Sequence, residues 1–129
     1  MDISVIVPLF NEAESLPELY AWIQRVMNEN KFSYEVIFIN DGSTDNSWQV
    51  IQELKAKSEN VRAIRFRRNY GKSPALFCGF ERAEGNVVIT MDADLQDDIN
   101  VMDDMIKKYN AGADVVYGVR SSRKKDTFF

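Results

Sequence analysis

Along this chain, short runs of β-branched and other apolar residues alternate with stretches in which apolar residues recur every three or four positions. That alternation predicts repeated βαβ units, hence an α/β domain with a mostly parallel sheet. Strands are expected at residues 3–8, 35–40, 61–66, 87–91 and 114–117, and their nearly continuous apolar character predicts burial on both faces. In the first helical stretch Leu16, Leu19, Tyr20, Ile23 and Met27 share a face, and Ser15-Leu16-Pro17-Glu18 reads as a capping box with proline in the first turn. A second helix follows the turn Gly42-Ser43-Thr44-Asp45, with Trp48, Ile51 and Leu54 as its inner stripe. A third is expected at 74–83 and a fourth at 101–110, stopped by Gly112. Trp48 and Met105 are core candidates on this pattern. There is no internal repeat or low-complexity segment, so residues 1–129 read as one domain.

Composition changes this picture little. At 45% hydrophobic and 28% charged residues, the chain has ordinary globular usage. The net charge of −4 argues against sequence-independent nucleic-acid binding. The local distribution is more informative: basic residues gather at Arg62, Arg65, Arg67, Arg68 and Lys72 and again at Arg120, Arg123, Lys124 and Lys125, while acids gather between Asp92 and Asp104. These blocks could face one another across a ligand, or Arg62 to Arg68 could be a solvated strand face. Cys78 is the sole cysteine, and its setting reads as a buried apolar thiol with no histidine anywhere to activate it. A single thiol, a start without a basic leader and the lack of a bilayer-length apolar run suggest a soluble cytoplasmic chain.

In a doubly wound sheet, ligands bind beyond the carboxyl ends of the strands. Those ends carry Pro8-Leu9-Phe10-Asn11-Glu12, Asn40-Asp41-Gly42-Ser43-Thr44-Asp45, Arg68-Asn69-Tyr70-Gly71-Lys72 and Asp92-Ala93-Asp94-Leu95-Gln96, all expected on one edge. If strand geometry persists through Asp92 and Asp94, their carboxylates point to one side and reach a common ion. A divalent cation relieves their repulsion, and oxygen-only ligands favour Mg2+ or Mn2+; without histidine, zinc is disfavoured. The alternative is that Asp92 and Asp94 are solvated loop acids; Asp97 and Asp98 read as caps of the fourth helix. Asp41 is placed to hydrogen-bond a base or ribose, although Asp41 to Asp45 also reads as a tight turn with caps. Lys72 and Gly71 are suited to a phosphate.

Taken in order and spacing, the four clusters resemble family 2 glycosyltransferases of the GT-A fold, a Rossmann-like, mostly parallel sheet with helices on both faces. The branch most resembled is that of polyprenyl-phosphate sugar transferases similar to dolichol-phosphate mannosyltransferase, and the match runs over essentially the whole chain. The resemblance implies transfer of a sugar, with inversion, from a UDP- or GDP-linked donor to a lipid phosphate at the cytoplasmic face of a membrane. Carried over position by position, Pro8, Asn11 and Glu12 would border the nucleoside and Asp41 would hold the base. Asp92 would sit near the ribose or metal, Asp94 and Gln96 would bind the metal, and Arg120 would meet the acceptor phosphate. Catalysis would thus fall to Asp94 and Arg120, with Lys72 near the diphosphate.

Complete members of this family continue with an acceptor-binding part and, in this branch, membrane helices. On that comparison the chain reads as a truncated, nucleotide-sugar-binding part spanning 1–129, better equipped for donor binding than for catalysis. Apolar surface near Val115, Val116, Phe128 and Phe129 then predicts self-association. Two rival readings are a non-catalytic nucleotide-sugar binding module and a receiver-like α/β domain holding magnesium on clustered acids.

Overall fold

In a computed structural model, residues 1–94 are described. The β-branched runs form β1 (Ile3–Leu9), β2 (Tyr34–Asn40), β3 (Val61–Arg65) and β4 (Val87–Thr90), and between them lie α1 (Leu16–Glu29), α2 (Ser47–Lys57) and α3 (Lys72–Arg82). The fourth expected helix, the fifth strand, Gln96, Asp97, Asp98, Met105, Arg120 and the apolar tail lie outside the described residues.

All strand pairs are parallel and the order is β3-β2-β1-β4. The chain steps outward from β1 to β3, and α3 then carries it back to the other side of β1. The reversal between β1 and β4 is the switch point at which such sheets open a crevice. A receiver-like domain would instead place its third strand beside the first, so this order excludes that rival.

The helices cover both faces. Val5, Val7, Val36 and Phe38 pack on one side with Leu19, Ile23 and Met27 of α1 and Ile51 of α2, while Ile6, Ile37 and Ile39 pack on the other with Ala75 of α3. Each fully buried side chain of this kind contributes about 1.5–3 kcal/mol. Gly79 lets α3 close down on the sheet, because a Cβ there would lie 2.6 Å from Ile6 Cγ2 and 3.0 Å from Ile39 Cδ1.

Several expectations are corrected. Ser15 precedes α1 but does not cap it: its backbone is already helical, at φ −83 and ψ −24, so its hydroxyl is turned away from the first-turn amides and makes only a 3.4 Å bond to Glu12 Oε2. The third strand is half-exposed, because it forms one edge of the described sheet. Cys78 is half-buried, with Arg82 Nη1 3.2 Å from its sulfur, and Trp48 packs against the core from a partly buried position. α3 starts two residues earlier than expected, at Lys72.

Arg62 is not part of a solvated face either. It donates to Glu35 Oε1 at 2.9 Å, and Glu35 is 2% exposed at the amino-terminal edge of the sheet. The other Glu35 oxygen accepts the Ser4 hydroxyl at 2.6 Å and the Glu84 amide at 2.7 Å. Burial opposes ionisation of Glu35, but these bonds and the guanidinium outweigh it and hold its carboxyl below the usual value. One carboxylate thus ties β1, β2, β3 and the turn into β4 together, at the edge opposite the ligand crevice.

Candidate functional site

Because every described strand is parallel, the polar clusters, as far as Asp94, do emerge on a single edge. The first two loops are zipped together by hydrogen bonds. Asn11 adopts φ 54, a conformation asparagine tolerates better than most residues. From there its Oδ1 accepts the amides of Thr44 at 2.8 Å and Asp45 at 3.2 Å, and its Nδ2 donates to Thr44 Oγ1 at 3.2 Å. The Asn11 amide donates to Ser43 Oγ at 2.9 Å, and the Glu12 amide to Ser47 Oγ at 3.0 Å. Asp45 anchors the start of α2 by accepting the Ser47 amide at 2.9 Å and hydroxyl at 2.6 Å. Its slight burial works against ionisation, yet the Ser47 bonds prevail and keep its carboxyl below the ordinary range. Asn11 thereby fixes the loops bordering the crevice, and Ser43 and Ser47, which the sequence did not mark as partners, complete the zipper.

The third cluster is gripped by the second. Asp41, 5% exposed, accepts the amides of Tyr70 at 2.8 Å and Gly71 at 3.0 Å. Gly42 sits at φ +73, and a Cβ on it would lie 2.2 Å from the backbone carbon of Arg68 and 2.3 Å from the nitrogen of Asn69. Only glycine allows the two backbones to approach this closely. The grip fixes where α3 begins, and from its first residue Lys72 Nζ reaches Asp92 Oδ1 at 3.0 Å.

The crevice itself follows from Pro8. On the β4 side of β1 the last rung is the Met91 amide donating to Ile6 O at 3.0 Å. In a parallel ladder the next rung would need the N–H of residue 8, and proline has none. The ladder ends there, which is why a proline is tolerated in a central strand. Beyond it the chain turns at Ala93 and Asp94, so the strand geometry expected through Asp92 and Asp94 does not persist. The two acids share the crevice all the same.

Two adjoining cavities meet at Asp92. One, about 280 Å³, is lined by Pro8, Leu9, Phe10, Glu12, Asp92, Ala93 and Asp94. The other, about 140 Å³, is lined by Pro8, Leu9, Phe10, Asp41, Lys72 and Asp92. Of the expected residues, Pro8, Glu12, Asp41, Lys72, Asp92 and Asp94 therefore converge, Asn11 ties the first two loops together beside them, and Gln96 and Arg120 lie outside the described residues. Phe10, 44% exposed and lining both cavities, was not singled out as a site residue. Its signal was an aromatic residue placed immediately after a buried strand.

The donor set at the crevice fits a hard divalent cation. Asp92 and Asp94 supply only oxygen, and a cationic group, the Lys72 ammonium, already lies against Asp92. Among the described residues no group of three or more acidic, histidine or cysteine ligands forms. Water and ligand oxygens would have to complete the coordination, as is usual for magnesium.

The sequence model for Glycosyl transferase family 2 matches residues 4–129. The chain belongs to this family. Among its relatives, the bactoprenol glucosyl transferase of Shigella phage SfV is 43% identical over 126 residues, 98% of this chain and 41% of that protein. The undecaprenyl-phosphate 4-deoxy-4-formamido-L-arabinose transferase of Pseudomonas fluorescens (strain SBW25) is 39% identical over 127 residues, 98% of this chain and 37% of that protein. The chain thus spans about two fifths of the length of these curated relatives.

The GT-A architecture is shared with solved structures. The mannosyltransferase PcManGT from Pyrobaculum calidifontis, in complex with GDP-Man and Mn2+, aligns with a TM-score of 0.68 at 25% identity over 81% of this chain and 31% of that one. TarS of S. aureus in complex with UDP aligns with a TM-score of 0.62 at 28% identity over 73% of this chain and 28% of that one. Among the described residues, no helix of this family member is long and apolar enough to cross a membrane.

Proposed function

We propose that residues 1–129 form the nucleotide-sugar-binding part of a glycosyltransferase that moves a sugar from a UDP- or GDP-linked donor to a polyprenyl phosphate, with inversion. The observation that carries this reading is the convergence of Asp92, Asp94 and Lys72 in the crevice between β1 and β4. Bactoprenol and undecaprenyl phosphate figure in the names of the relatives, which supports a lipid phosphate acceptor.

In this reading Pro8, Glu12 and Asp41 border the nucleoside, with Asn11 bracing their loops. Asp94, with Asp92 and Gln96, holds Mg2+ or Mn2+, which when bound supplies neutralising charge to the donor diphosphate. Lys72 binds the same diphosphate and stabilises the charge that builds on it as the sugar departs. Arg120 orients the acceptor phosphate. That acceptor is anionic at neutral pH and needs no general base.

The test is formation of lipid-linked sugar by the full-length protein, paired with calorimetric titration of UDP- and GDP-sugars in the presence of Mn2+ or Mg2+. Metal-dependent donor binding with transfer to polyprenyl phosphate is expected. Metal-dependent binding without transfer would leave a nucleotide-sugar binding module instead.

A further inference from the structure

Lys72 and Asp92 meet where the proposed cation would have to bind. The ammonium lies 3.0 Å from Asp92 Oδ1, with the lysine side chain 44% exposed and the aspartate 14% exposed. We propose that Lys72 is a resident counter-cation of the site: it neutralises Asp92 before the divalent ion arrives, yields the carboxylate to that ion, and then turns to the donor diphosphate. The proposal rests on the reading of Asp92 and Asp94 as a divalent-ion site.

Three features support an exchange rather than a fixed ion pair. The lysine stem is flexible and its head is a compact point charge, unlike the rigid fork of an arginine. Its helix is held independently of Asp92, because Asp41 binds the Tyr70 and Gly71 amides just before α3. The ammonium can therefore move while its backbone stays in place. A cavity of about 140 Å³ also opens between Lys72, Asp41 and Asp92, so the displaced head has space on the same side of Asp92.

The exchange has an electrostatic consequence whose sign depends on the ligand. Without donor, Lys72 competes with the metal for Asp92 and repels it, so removing the charge tightens metal binding. With donor, the same charge attracts the diphosphate, so removing it weakens nucleotide binding. A partly exposed ion pair sets the first effect at about two- to fivefold. Loss of a charged hydrogen bond to phosphate sets the second at roughly tenfold.

The experiment is Mn2+ titration of the full chain by electron paramagnetic resonance, comparing wild type, Lys72→Met, Lys72→Gln, Lys72→Arg and Asp94→Ala, followed by UDP and GDP titrations at saturating Mn2+. Tighter Mn2+ binding in Lys72→Met and Lys72→Gln, Mn2+ binding no tighter than wild type in Lys72→Arg, whose rigid fork gives up the carboxylate less readily, and weaker diphosphate binding in the two uncharged variants are expected. A lysine with a purely structural role would weaken both ligands in every variant. If Mn2+ binding depends on Asp94 but is unchanged or weakened in both uncharged variants, the counter-cation proposal falls and the metal site stands. If neither wild type nor the Lys72 variants bind Mn2+, both fall.

Discussion

Asp41→Asn tests how the crevice is assembled. The wild-type carboxylate is almost wholly buried and accepts two backbone amides, from Tyr70 at 2.8 Å and Gly71 at 3.0 Å. An asparagine keeps one acceptor oxygen and presents an NH2 group to the other amide, so one charge-assisted bond is lost and two donors face each other. Hydrogen bonds to charged groups contribute about 1.5–3 kcal/mol each, and a buried donor left without an acceptor costs a similar amount. A loss of about 1.5–3 kcal/mol in unfolding free energy is therefore expected in urea denaturation followed by the fluorescence of Trp22 and Trp48. The loss should be local in origin: amide exchange at Tyr70 and Gly71 should accelerate, and α3, whose start these residues fix, should hold Lys72 less well against Asp92. Donor affinity should fall in parallel. A variant within about 0.5 kcal/mol of wild type, with unchanged exchange at both amides, would refute the claim that Asp41 grips this loop.

Four further outcomes follow from the same geometry. Gly42→Ala places a Cβ 2.2 Å from backbone that no side-chain rotation can clear, at φ +73, and should destabilise by more than about 2 kcal/mol in the same denaturation assay. Gly79→Ala instead meets the movable tips of Ile6 and Ile39 and should cost about 1–3 kcal/mol, the usual range for overpacking. Asp94→Ala should weaken Mn2+ binding by calorimetry at least about tenfold, since even outer-shell partners of a metal typically matter that much. For Glu35 the folded pKa is depressed, so its contribution is present above the ordinary glutamate value of 4.5 and is lost as pH falls through the lower folded value. Glu35→Gln should therefore flatten the acid side of the stability profile, measured by thermal melting from pH 7 downward.

The sequence resolved the fold where local pattern and tertiary burial agree. β1 and β2 are continuous apolar runs, and both are central, buried strands paired in register from Ile3 with Tyr34 to Leu9 with Asn40. α1 carries its buried residues at the expected spacing. What failed depended on distant partners. Ser15 looked like a cap because its neighbours matched a capping box, but the turn from Glu12 had already given it a helical backbone. Arg62 read as either ligand-facing or solvated because its acceptor, Glu35, is 27 residues away and buried. At the site, the strand ends disclosed which residue types converge, yet not how each is used. Asn11 braces one loop against the next, and Gly42 is required by the close approach of the Arg68–Asn69 backbone.

These contacts divide the proposed site into two parts of different physical character. Around Asn11 and Asp41 the polar atoms are paired with backbone amides at 2.8–3.2 Å, so that border is formed before any ligand arrives and a nucleoside entering it would meet fixed partners. Preorganisation of this kind lowers the entropy cost of binding. Around Asp92 the arrangement is held by charge instead: an ion pair between a flexible, half-exposed lysine and a carboxylate just past the point where Pro8 ends the ladder. Charge pairs of that exposure are weak and exchangeable, whereas the backbone grip that presents them is not. The same proline that denies β4 its next rung thus separates a rigid recognition edge from an electrostatic one, and a donor with a neutral base at one end and a diphosphate at the other would match both.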